Sequence, residues 1–218
     1  YYASRGLGDV YKRQKYNRNS FNSLYMKRLI IAILLFVIGC IIIGVIKQEY
    51  LIHKLLSQLS FNDSEVILYR IFSYSGYIVN IAISISVLLI ISLLSFFVLM
   101  FIEGDKFCFE ITHRAFLHAT SALFILTLGV EIVKLIVVLY SNVDFIALYE
   151  TDKELYNHYS NILTMRYMRC DLIGGLMGFI IYFLTLHKKL PSLSFWKFLP
   201  NMFLYLTIFF YLYFRQLS

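Results

Sequence analysis

A glutamate and a lysine one helical turn apart, Glu131 and Lys134, interrupt an apolar stretch running from Ala115 to Tyr140. Within a bilayer each such group costs about 2.5–3.5 kcal/mol on insertion scales, so the pair calls for a reason. At about 100° per residue on a helix, His113, Thr120, Thr127, Glu131 and Lys134 fall within an arc of about 60°. The result is a polar seam on a helix otherwise built of Leu, Ile and Val. Such a seam can hold a proton, line a solute path or touch a substrate. The structural alternative has Lys134 snorkelling to the surface with Glu131 as its local partner, three residues before it.

A second set of residues belongs to the apolar stretch before it. Ser73, Asn80, Ser84, Ser92 and Ser95 share about 120° of arc on one helix. Hydroxyls and a single amide suit close packing and interhelical hydrogen bonds, and this face is expected to meet the Glu131 seam, with Asn80 beside it. Gly174 and Gly178 form a Gly-x-x-x-Gly spacing that lets another backbone approach. It serves packing within the chain or, alternatively, pairing of two copies. Arg166, Arg169 and Asp171 precede it and read as a charged cap.

Other sets lack the spacing their chemistry requires. Cys108, Glu110, His113 and His118 come nearest to a metal cluster, but Cys-x-Glu-x-x-His-x4-His is no zinc pattern, and histidines five apart fall on different helix faces. An intramembrane enzyme would have to be built on these residues. Cys40, Cys108 and Cys170 are widely separated, with no Cys-x-x-Cys pair. Val37-Ile38-Gly39-Cys40 resembles a lipobox, yet the residues after Cys40 continue the apolar run, which favours a membrane helix over a lipid anchor. No Walker loop, nucleophile elbow or His-Glu-x-x-His occurs. No catalytic residue, metal or cofactor is therefore expected.

The elements that must position these residues follow from composition. Of 218 residues, 60% are hydrophobic and 15% charged, with only 2 Pro and 10 Gly. A soluble domain typically has about 45–50% and about 25%, so an ordinary soluble, disordered or fibrous protein is excluded. The expected class is all-α, a polytopic helical membrane protein. Spans of about 20 apolar residues cross a bilayer core. Five are expected, at residues 29–46, 76–102, 115–140, 172–187 and 198–214. Leu51, Ile52, Leu55, Leu56 and Leu59 recur on one face of the 47–70 segment, which predicts an amphipathic helix on the membrane surface, with Asn62 or Asp63 capping a short second helix. Residues 141–171, with Tyr149, Tyr156, Tyr159 and Tyr167, read as one or two interfacial helices, and Trp196 as an interface anchor.

Basic residues set orientation. Beyond the first 14 residues, the net bias and the Lys27-Arg28 and Lys188-Lys189 clusters place the N-terminus in the cytoplasm. The net charge of +7 needs no nucleic-acid partner. The expected partners are the lipid bilayer and either another membrane protein or a second copy. The expected location is the inner (cytoplasmic) membrane of a bacterium, multi-pass.

Ser4 to Gln14 resembles the translation of a transposase-type sequencing adapter, eleven consecutive residues in all. Residues 1–25 are read as an artefactual or disordered tail, residues 26–218 as one helical transmembrane domain, and Met26-Lys27-Arg28 as the natural start. Glu131-Ile132-Val133-Lys134-Leu135-Ile136, followed by Asp144-Phe145, together with the five-span layout over residues 27–214, resembles bacterial Yip1-like membrane proteins. That resemblance implies a scaffolding or trafficking role and transfers no catalytic residue. The expected function is therefore that of a non-enzymatic accessory or scaffold protein, the alternative being a small transporter or permease subunit using the third-span seam.

Overall fold

The computed structural model describes residues 24–50, 63–104, 108–140, 153–191 and 193–215. Among them every regular element is helical: α1 (Leu24–Tyr50), α2 (Asp63–Glu103), α3 (Phe109–Leu139), α4 (Lys153–Lys189), a 3-10 turn (Phe195–Phe198) and α5 (Leu199–Arg215). Five helices are long and apolar enough to cross a membrane, α5 doing so together with the 3-10 turn before it.

Local chemistry sets the ends. α2 stops where Gly104 adopts φ +51°, a left-handed conformation that closes a helix at little cost for glycine. α4 stops before Leu190, because Pro191 disfavours the helical conformation in the residue before it. Pro200 sits in the first turn of α5, where its missing N–H would have no helical acceptor.

The helices outrun the expected boundaries: α1 by five residues at its start and four at its end, α3 by six at its start, and α2 and α4 by more. α2 begins at Asp63, so residues 63–75 belong to the same helix as residue 76, and α4 begins at Lys153, so residues 153–171 continue the helix of residues 172–187 instead of forming separate ones. Neither added segment contains Gly or Pro, so nothing in the backbone ends the helix where the hydropathy falls. The adapter-like tail, residues 51–62 of the amphipathic segment and residues 141–152 lie outside the described residues.

Neighbouring helices run antiparallel. Arg70 and Tyr74 of α2 donate hydrogen bonds to Glu49 of α1 at 3.2 and 2.9 Å, joining the end of α1 to the start of α2. At the other end of the bundle, the Lys197 ammonium donates to Glu103 at 2.8 Å. These contacts define a Glu49 end and a Glu103 end. α1 runs parallel to α3 and docks on it through Phe36 and Phe124, ring centroids 5.5 Å apart. Leu29, Ala32 and Cys40 complete this smaller core. The main core lies toward the Glu103 end: Leu99 of α2, Phe116 and Ala119 of α3, Tyr182, Phe183 and Leu186 of α4, then Leu190, Phe198 and Tyr205. Large apolar side chains cover the outside, among them Ile31, Leu35, Ile42, Ile83, Leu93, Ile132 and Leu184.

Candidate functional site

α3 is the centre of the Glu49 half. Glu131 and Lys134, one turn apart on it, form an ion pair with Nζ 3.0 Å from Oε1. The same ammonium also bonds the carboxylate of Asp171 on α4. The side chains of Lys134, Glu131 and Asp171 are 19%, 28% and 30% exposed, so the triad is largely withdrawn from the surface. Lys134 thus points inward to two carboxylates instead of snorkelling outward.

The approach of α4 is set by its glycines. A Cβ on Gly174 would collide with Val130 of α3, and one on Gly178 would lie 2.9 Å from the Tyr205 hydroxyl. Gly174 and Gly178 therefore both face helices of their own chain. Asp171 lies one turn before Gly174, so the close crossing that the glycine permits carries the carboxylate to Lys134. Sequence reasoning grouped Asp171 with Arg166 and Arg169; both arginines are exposed, while Asp171 turns inward. The signal for this lay in the spacing 171, 174, 178, one continuous helix face.

Beside the triad α2, α3, α4 and α5 border a half-open cavity of about 580 Å³. Asn80, Glu131, Asp171 and Tyr213 line it toward the Glu49 end, Ser84, Thr127, Gly174 and Phe209 its middle, and Ile91, Leu123, Gly178 and Tyr205 the end toward Glu103. From Glu131 to Leu123 the wall descends eight residues of α3, about 12 Å. The wall is mostly apolar, its charged lining consisting of two carboxylates. Gly175 opens the α4 wall to Phe209, whose ring occupies the space a Cβ would need. The Tyr205 hydroxyl donates a long bond, 3.5 Å, to the Gly175 carbonyl.

Around the triad Lys47 of α1 lies over the Tyr167 ring, 4.8 Å from its centroid. Lys47, Tyr167, Tyr77 and Cys40 all lie within electrostatic reach of Glu131.

Beyond the cavity, toward Glu103, the wall is closed. Ser92 of α2 and Thr120 of α3 share a buried hydrogen bond, and Thr120 also donates to the Phe116 carbonyl at 2.7 Å. The Tyr182 hydroxyl faces Ser92 and Ser95 without completing a bond of good geometry. Ser95, Tyr182 and both amide atoms of Asn201 are buried polar groups with no hydrogen-bond partner among the described residues.

The structure divides the expected seam. Thr127, Glu131 and Lys134 gather at the cavity with Asn80 and Ser84, and Thr120 meets Ser92 beneath it. His113 is apart, stacked on Phe109 with centroids 5.6 Å apart and edge-on to Phe96, some 18 residues from Glu131 along α3. Among the described residues no three His, Cys, Asp or Glu side chains are placed to share a metal ion.

No family model, curated protein or solved structure matches this chain. The reading of the site rests on its own geometry.

Proposed function

We propose that the chain is a multi-pass protein of a bacterial cytoplasmic membrane and serves as a small transporter or permease subunit whose solute enters the vestibule between α2, α3, α4 and α5. The observation that carries this reading is the cavity itself: about 580 Å³ between four helices, with Glu131, Asp171 and Asn80 in its lining. Binding cavities of small molecules span about 300–1,000 Å³ and combine apolar walls with a few placed polar groups. Ionisable groups inside a membrane bundle are rare and commonly mark solute or ion paths. Support for insertion comes from five long apolar helices with large apolar side chains on their outer faces. With the N-terminus in the cytoplasm, the Glu49 end, where the triad lies, faces outward.

Side-specific labelling tests this. Cys40, Cys108 and Cys170 are replaced by Ala, and Thr127→Cys or Ser84→Cys is added alone. In sealed vesicles of known orientation, a membrane-impermeant thiol reagent should modify both new cysteines from the outer face. Failure to label from either face would show the vestibule closed to water and remove the transporter reading.

A second reading, an accessory or scaffold protein, draws on another surface. The outer face of α5 presents Phe203, Tyr211 and Phe214, 60–70% exposed. This aromatic stripe suits a partner helix or a second copy as well as it suits lipid, and a Yip1-like role would use such a face. Cross-linking from this stripe in intact membranes, with the vestibule unlabelled, is the result this second reading requires.

A further inference from the structure

We propose that the vestibule binds an amphiphilic organic monocation, an ammonium or phosphonium head on an apolar body, with Glu131 and Asp171 as its counter-charges and Lys134 as the built-in cation that holds them when the site is free. The proposal rests on the vestibule being open to a solute, as argued above, and it names the class of that solute.

Charge comes first. Both ionisable carboxylates of the triad line the cavity, whereas Lys134 lies behind them and no basic side chain lines the wall among the described residues. An anion in the cavity would face two carboxylates and no basic side chain of the wall. Lys47, the next basic residue outward, is engaged over the Tyr167 ring and is outside the wall.

Stoichiometry comes second. Lys134 bridges two carboxylates with one ammonium. A single incoming positive charge can take one carboxylate while Lys134 keeps the other, so no buried charge is left alone at any point in the exchange. A dication would strip both carboxylates from Lys134.

The remaining wall fits the body of such a ligand. Tyr205, Phe209 and Tyr213 supply ring faces from α5, and Val87, Leu88 and Leu126 supply aliphatic surface opposite. A cation near an aromatic face is attracted by the ring quadrupole, most strongly where water is excluded. A small, strongly hydrated ion would gain nothing from these walls, whereas an apolar body fills them.

The test uses two ions of the same shape and opposite charge, tetraphenylphosphonium and tetraphenylborate, with purified full-length protein in detergent. Saturable binding is measured at equilibrium, where no transport step enters. The phosphonium should bind at least about tenfold more tightly than the borate. Asp171→Asn and Glu131→Gln should each weaken it by about tenfold, and Lys134→Met should tighten it, because a competing cation is removed. Ser84→Phe fills the vestibule without touching the triad and should abolish saturable binding, which keeps the test decisive if a triad variant fails to fold. Equal binding of the two ions overturns the proposal, as does phosphonium binding that Ser84→Phe leaves intact. The two readings fail separately. Thiol labelling of the vestibule without phosphonium binding defeats the cation proposal alone, and phosphonium binding without labelling or uptake in vesicles defeats the carrier reading alone.

Discussion

The two halves of the bundle use the same helices for opposite ends. Toward Glu103, aromatic rings interlock: Phe116 contacts Phe96 and Tyr182 edge-on at centroid distances of 5.5 and 6.2 Å, and Tyr182 and Phe183 both reach Tyr205. Toward Glu49, glycine replaces aromatic residues on α4, the helices leave a cavity, and charge replaces close packing. The lesson is that one helix can seal at Tyr182 and open at Gly175, two turns away, because side-chain volume changes along it while the backbone does not.

Changes that attack the sealed half should have the largest effect. Phe116→Ala removes a buried ring from the centre of the aromatic cluster, and such truncations cost about 3–5 kcal/mol. Unfolding in detergent, followed by circular dichroism against added SDS, should show the midpoint falling sharply. If the midpoint does not move, this half is not the stabilising one.

In the open half the triad should be next, and its members should not be equivalent. Lys134→Met leaves two carboxylates facing each other, whereas Glu131→Leu leaves Lys134 with Asp171. Breaking a buried pair costs about 3–5 kcal/mol, and partial exposure brings the expected loss for Lys134→Met to about 1–3 kcal/mol. Glu131→Leu should lose less. The double change Glu131→Leu with Lys134→Met strands Asp171, so recovery should require Asp171→Leu as a third substitution. A double variant already as stable as wild type would mean that Asp171 is not held by Lys134.

Gly174→Leu should separate α3 from α4 at the triad, at about 1–3 kcal/mol for overpacking. A disulfide placed between α3 and α4 near this crossing should then form more slowly in the variant. Smallest of all, Asn80→Ala and Ser84→Ala lie on the vestibule wall outside any packed core and should shift stability by no more than about 0.5 kcal/mol. If these variants retain stability and lose solute binding, the difference between the two halves becomes one of role.

Much of this could be read from residue types. Runs such as Leu29–Ile46 and Gly76–Ile102 carry no charge, so their helical, apolar character was evident, and the arc shared by Thr127, Glu131 and Lys134 followed from helical geometry alone. The partner of Lys134 could not be read in the same way. Asp171 is 37 positions away, and its approach depends on which α4 face α3 meets, a property of packing. Helix ends escaped for another reason. Hydropathy drops near Arg166 and Arg70, but a helix ends only where caps, Gly or Pro end it, as at Gly104 and Pro191. The cavity is a volume left by four helices, and no single segment encodes it.

The link between Lys197 and Glu103 joins positions 94 residues apart. During synthesis α2 and α3 emerge long before Lys197 does, and the Glu103 carboxylate must wait for its counter-ion. Phe198 and Tyr205, which finish the aromatic core, arrive in the same final segment. α5 is therefore the keystone for the helices that precede it. A nascent chain arrested before residue 195 should hold its helices only loosely together with Tyr182 uncovered, a form that a chaperone or protease would distinguish from one in which α5 has docked.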